Sequence, residues 1–247
     1  MSKRILTIFP HPDDAETAAG GTLVTWARQG HQITLCLLTD GDKGTSDASL
    51  PRDHLIALRM GEQERAAARL NADVIYLGYE DGLIQPTIDL RRDLVRVMRR
   101  VRPHVVVAND PTVWFRLGAY INHPDHRATG QAVVEALYPA VKKAQIFPEL
   151  LQEGLEPHVV DEVWLTPTDH PDQWVDVTDV FEEKMALICD HASQFPPEAA
   201  RIVFTRLARD AGAGRGMNLA ESFRTLRLTA STIQGLAGRM RLPDQAR

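Results

Sequence analysis

Two short clusters carry residue types that can do chemistry together. His11-Pro12-Asp13-Asp14 follows an apolar run, and Asn122-His123-Pro124-Asp125-His126 precedes a helical pattern. Pro12 fixes its own φ and biases His11 toward extended backbone, so three polar groups sit on a short, stiff turn. An imidazole and a carboxylate three positions apart, such as His11 and Asp14, can converge on one cation. The adjacent carboxylate must then point elsewhere, which leaves it free for proton transfer. In the second cluster Pro124 suits the first helical position, so His123 sits at the cap. His126 then lies about one turn from His123 and can face the same way. Asp125 is close enough to influence a neighbouring imidazole. Alone, each cluster also reads as an ordinary capped helix start, with Asp14 as a cap. Together they supply two metal-capable histidines, a metal-capable carboxylate, a spare carboxylate and a spare imidazole. Three N/O ligands with an open fourth position describe a catalytic zinc site. Spare acid and base groups are what metal-assisted hydrolysis needs besides the metal.

These groups can cooperate only if the fold delivers them to one place. Ile5 to Phe9 reads as a strand, Glu16 to Gln29 as a helix ended by Gly30, and Gln32 to Thr39 as the next strand. A helix is expected from Asp53 to Leu70, a strand over Val74 to Tyr79, and a helix over Asp89 to Val101. Val105 to Ala108 is a fourth strand and Arg127 to Val141 a further helix. This alternation implies an α/β, Rossmann-like fold: a mainly parallel sheet with helices on both faces. Its ligand crevice opens at the C-terminal strand ends, where both clusters would lie and where the metal site is expected.

Val159 to Leu165 and Trp174 to Val177 read as short strands, and Val180 to His191 as a helix. From Pro196 onward, breakers and glycines dominate until Glu221 to Thr229, and Ala211 to Gly216 reads as a mobile loop. No repeat or low-complexity linker interrupts the chain, so residues 1–247 are taken as one domain.

Composition narrows the partners. Apolar content of 44% and charged content of 25% are those of a globular protein. A formal net charge of −5 gives no reason to expect nucleic acid or an anionic membrane as partner. Apolar runs are strand-sized, and the N-terminal one is too short for a signal-peptide core, so a cytoplasmic location is expected. Cys36 and Cys189 have no ligand-spaced companions and read as small apolar side chains.

The paired motifs His11-Pro12-Asp13-Asp14 and His123-Pro124-Asp125-His126 resemble those of the LmbE-like, or PIG-L, zinc-dependent de-N-acetylases. The resemblance covers most of the chain. Arg59-Met60-Gly61-Glu62 with Leu70 is similar to that family's helix after the second strand, and Tyr76 to Gly82 to its third-strand exit. Lys184 through His191-Ala192-Ser193-Gln194 is similar to its late helix. Asn71 stands where the family often has glycine, a helix C-cap that Asn tolerates.

The resemblance implies that His11, Asp14 and His126 bind Zn2+, which other divalent metals can replace, and that Asp13 is the general base. It gives His123 the stabilisation of the oxyanion and the proton for the leaving amine. Asp125 would hold His123 in the right tautomer and favour its protonated form. Arg59, Asp81 and Asp42 are the candidates for gripping substrate. Arg59 also reads as a solvated helix residue, Asp81 as a turn residue before Gly82, and His191 as a packing residue.

The implied activity is removal of an N-acetyl or other N-acyl group from a small amino-sugar-type substrate. An amidase acting on thiol conjugates or larger acyl amides is an alternative. So is a Rossmann-type nucleotide-binding module, although the first strand exits into His-Pro-Asp-Asp rather than a glycine-rich turn. Specificity is expected in the loops 110–122 and 196–217. Trp114 and Phe115 there suit an aromatic wall for a sugar ring, internal packing or a homo-oligomer contact equally well.

Overall fold

The computed structural model of the protein describes residues 2–116, 118 and 120–228. In chain order these form β1 (Arg4–Phe9), α1 (Asp14–Arg28), β2 (Gln32–Leu37), α2 (Arg52–Leu70), β3 (Asp73–Tyr76), α3 (Ile88–Val101) and β4 (Val105–Ala108). Next come β5 (Phe115–Arg116), β6 (Tyr120–Ile121), α4 (Pro124–Leu137), α5 (Glu149–Gln152), β7 (Glu162–Leu165) and β8 (Gln173–Asp176). The described chain finishes with α6 (Phe181–Cys189), α7 (Pro197–Gly212) and β9 (Ala220–Arg227).

The main sheet runs β3-β2-β1-β4-β7-β9-β8. The pairings from β3 to β7 are parallel, and β9 runs antiparallel to both β7 and β8. Strands near its centre are apolar without alternation because both faces are covered. In β1, Ile5 and Phe9 enter the core beneath α1, α2, α6 and α7, while Leu6 and Ile8 enter the opposite core beneath α3 and α4. Ile8 is level with Cys36 on one side and Ala108 on the other, so the loops leaving β1, β2 and β4 emerge together at one sheet edge. That edge is where both motif clusters sit.

Helix boundaries follow local chemistry. Asn71 ends α2 at φ 49°, the left-handed geometry expected there. Thr87 starts α3 by accepting the Leu90 amide hydrogen at 3.2 Å. Within α4, Gly130 lies against the β4 exit, where an added Cβ would fall 2.5 Å from the Asn109 carbonyl oxygen. Gly130→Ala must push α4 away from the sheet, and we expect a loss of about 1–3 kcal/mol in urea unfolding.

The late part of the chain departs from the sequence reading. Residues expected to be loop from Pro196 form α7, with Pro197 in its first turn and Gly212 as its last residue. The breakers flank the helix instead of interrupting it. Exposed Ile202 and Val203 blur its apolar stripe, which is why periodicity did not reveal it. The strand expected from Val159 begins only at Glu162, and the element expected to reach Thr229 ends as β9 at Arg227, with Thr229 outside the described residues. Part of the 110–122 loop is a small antiparallel pair, β5 with β6. Among the described residues, no helix is long and apolar enough to cross a membrane.

Candidate active site

The turn from β1 into α1 is closed by its own residues. The backbone amide of His11 donates to Asp14 Oδ2 at 2.9 Å, and His11 Nδ1 lies 3.2 Å from the same oxygen. Asp13 sits between them at φ 93°, left-handed backbone that non-glycine residues adopt only when the surroundings impose it. From α4, His126 Nε2 reaches Asp14 Oδ1 at 3.1 Å. The donor atoms of His11, Asp14 and His126 all lie within 4.8 Å of one another. Two ring nitrogens and a buried carboxylate can hold a divalent metal ion. A second trio, His11, His123 and Asp125, meets the same limit and shares His11.

The outer nitrogen of His11 is also engaged. His11 Nε2 lies 3.0 Å from Asp81 Oδ1 and 3.3 Å from Asp125 Oδ2. The other Asp81 oxygen accepts the Lys43 amide at 3.0 Å. Asp125 also accepts the amides of Gly82 at 2.7 Å and Ile84 at 3.2 Å. Carboxylates on the far nitrogen of a metal-ligating imidazole fix its ring and raise its basicity.

Four buried carboxylates, Asp13, Asp14, Asp81 and Asp125, crowd this corner. Burial lowers the His11 pKa, but the bonds to Asp125, Asp14 and Asp81 win and hold it well above the usual imidazole value. Burial would raise Asp14, yet the charges and hydrogen bonds of His126 and His11 keep its carboxyl well below the carboxylate range. For Asp81, the same burial is outweighed by His11, leaving it at about 2. Asp13 goes the other way: burial, then the Asp14 charge, push its carboxyl up to about 7 against the pull of Arg59. An excess of buried negative charge of this kind suits a bound cation.

His123 corrects an expectation. The Asp125 carboxylate is turned to His11 and to the Gly82 and Ile84 amides, not to His123. Instead, the Asp125 backbone amide donates to His123 Nδ1 at 3.2 Å. That bond still sets the tautomer, because an accepting Nδ1 leaves the hydrogen on Nε2. Burial, then the His11 charge, lower the His123 pKa despite the pull of Asp125.

The three candidate substrate residues separate. Arg59 is buried rather than solvated, donating to Gly41 O at 2.9 Å, Pro12 O at 2.8 Å and Asp13 Oδ2 at 2.9 Å. Gly41, at φ 72°, lets its backbone pass over this guanidinium, which any Cβ there would overlap. Asp81 borders the cavity but spends both oxygens on His11 and Lys43. Asp42 does not line this cavity: it borders a separate hollow with Arg52, whose Nε donates to Asp42 Oδ2 at 2.5 Å.

A cavity of about 610 Å³ opens over the cluster. Its walls include the polar groups of His11, Asp13, Asp14, His123 and His126 and the apolar side chains of Phe195, Phe204 and Leu207. Asn109, at the β4 exit, lines the cavity with its Oδ1 unpartnered and buried. It went unnoticed in the sequence, although its place directly after a central strand was a usable signal. Gln63 and Glu16, behind Asp13, carried no such signal because helix positions of their type are usually solvated.

A family model described as PIG-L, GlcNAc-PI de-N-acetylase, matches residues 6–137. A diacetylchitobiose deacetylase of Thermococcus kodakarensis is 34% identical over 201 residues, covering 79% of this chain and 72% of that protein. A probable N-acetyl-α-D-glucosaminyl L-malate deacetylase 2 of Bacillus anthracis is 28% identical over 213 residues, covering 81% and 85%. The solved structure of N,N'-diacetylchitobiose deacetylase from Pyrococcus horikoshii, complexed with its inhibitor MPG, has a TM-score of 0.86 and 32% identity, covering 94% of this chain and 86% of that one. With its paired motifs meeting at one edge of the same fold, the chain belongs to the PIG-L family of de-N-acetylases, hydrolases of an amide bond.

Proposed function

We propose that this protein is a zinc-dependent deacetylase of a small N-acetylglucosamine-type substrate, with His11, Asp14 and His126 as the zinc ligands. The observation that carries this reading is the convergence of those three donor sets within 4.8 Å at the floor of an open cavity. When bound there, zinc supplies Lewis acidity toward the amide carbonyl and makes water a better nucleophile.

The chain's own residues supply the rest. Arg59 occupies Asp13 Oδ2, so Oδ1 takes the proton from the attacking water and returns it to the amide nitrogen as the C–N bond breaks, releasing the free amine and acetate. The Nε2–H of His123 donates to the oxygen on which negative charge develops. Asp81 and Asp125 act by holding His11, and Arg59 by holding Asp13. Asp42 has no part in this scheme.

The relatives' substrates, diacetylchitobiose and N-acetylglucosaminyl malate, support an amino-sugar amide as the substrate class. The same reading takes residues 1–247 as a single domain and places the enzyme in the cytoplasm. The apolar lining supplied by Phe195, Phe204 and Leu207 favours a second reading, in which larger acyl groups are also removed.

Released acetate from N-acetylglucosamine and diacetylchitobiose, followed beside N-butyryl and N-hexanoyl analogues, tests both readings. Exhaustive chelation should abolish turnover and added zinc restore it. Full activity in verified metal-free protein would remove zinc from the scheme, and no release from any N-acylated amino sugar would remove the substrate class.

A further inference from the structure

Behind Asp13, on the side away from the cavity, lies a buried polar chain that the proposed chemistry does not use. Asp13 N–H donates to Gln63 Oε1 at 3.2 Å. Gln63 Nε2 donates in turn to Glu16 Oε1 at 2.7 Å. The other Glu16 oxygen faces His191 Nε2 at 3.6 Å, and Glu16, Gln63 and His191 are all fully buried. The three come from separate elements: Glu16 from α1, Gln63 from α2, and His191 from the segment after α6.

We propose that Gln63 is a positioning residue for the general base, and that Glu16 sets the orientation in which it acts. The inference rests on Asp13 being the base, as argued above. Two features of Asp13 make it necessary. Its backbone is left-handed at φ 93°, a conformation uncommon outside glycine and one that neighbouring contacts help to hold. It is also the N-cap of α1, a position whose amide hydrogen has no backbone acceptor within the helix, so another group must satisfy it. Gln63 Oε1 satisfies it.

An amide side chain can face either way, and the wrong way would set NH2 against the Asp13 N–H. Glu16 excludes that choice, because a carboxylate accepts only from the NH2 end. The Gln63 side-chain oxygen thus holds the Asp13 backbone by its amide hydrogen while Arg59 holds the carboxylate. A displacement of about 1 Å in a reacting group costs on the order of 10²-fold in rate.

The test uses the zinc-loaded enzyme and four variants. Gln63→Met, similar in size, should lower kcat about 10- to 100-fold with KM and bound zinc within about two-fold of the parent. In an Asp13→Asn background the same substitution should add almost nothing, because both act through one group. Gln63→Glu alone sets two carboxylates against each other and should also lose rate. The exchange Glu16→Gln with Gln63→Glu rebuilds both hydrogen bonds with donor and acceptor preserved, and should recover most of the loss. A folded Gln63→Met with parental kcat overturns the proposal. Should that variant not fold, equal kcat in Gln63→Glu and the exchange pair overturns it instead. Asp13→Asn with full rate would sink the base assignment itself, whatever Gln63 does, and this proposal with it.

Discussion

Asp13→Asn is expected to lower kcat by about 10²–10⁴-fold while the bound metal is retained, since general-base catalysis is typically of that magnitude. Asparagine keeps the shape and can still accept from Arg59, but it cannot take the proton. The pH profile provides a second measurement. A base must be deprotonated to act, so activity falls as pH drops through its pKa. Burial, then the charge of Asp14, raise the Asp13 carboxyl, and a cation held by Asp14 would draw it down again, so the presence of this acid limb and not its position is the test. It should be absent from the residual activity of Asp13→Asn. The limb belongs to a coupled group of carboxylates and imidazoles, so the variant, not the midpoint, makes the assignment. Parental kcat in Asp13→Asn would exclude the proposed mechanism.

Asp14→Ala should instead remove the metal. This carboxylate is the only one of the four that meets both His11 and His126, with one oxygen toward each. Its loss also frees the His11 amide that it accepts at 2.9 Å. Losing an outer partner of a metal ligand typically costs about 10–100-fold in affinity, and losing a ligand should exceed the upper end of that range. Metal content after gel filtration and titration with a competing chelator would measure it. The two aspartates are sequence neighbours with different jobs. If Asp13→Asn empties the site while Asp14→Ala keeps it filled, the roles are reversed.

What the sequence made legible was local. The His-Pro-Asp-Asp turn and the Pro-led helix start are set by residues within a few positions, and the β-α alternation placed both at the same sheet edge. The long-range partners were not legible. Arg59 reads as a solvated helix residue until the Pro12 and Gly41 carbonyls, 47 and 18 positions away, close on it. The Asp125 carboxylate looks like a partner for adjacent His123, yet the amides of the loop before α3 claim it. The bond that does orient His123 comes from a backbone N–H, which every residue but proline carries and which residue type therefore does not signal. Asp42 follows β2 by a few residues, where a substrate contact is expected, but its carboxylate accepts from Arg52 away from the cavity over the histidines. Proline and glycine mark boundaries without saying what lies between them, and α7 was hidden for that reason.

The three proposed ligands come from opposite sides of the sheet. His11 and Asp14 belong to the turn and first residue of α1, whose Ala15 and Ala19 pack in one core, whereas α4, carrying His126, packs Ala132 and Val133 in the other. A divalent ion held by all three is thus a rivet through the rim of the sheet, adding to the His126–Asp14 and His11–Asp125 contacts that already join the two layers there. Ligand binding to the native state alone adds about 2.7 kcal/mol to global stability at a free concentration one hundred times Kd. Here that increment falls on the junction between the layers. The ion would couple the unfolding of the two halves, and depletion of zinc would loosen the contact between them before it loosened either half.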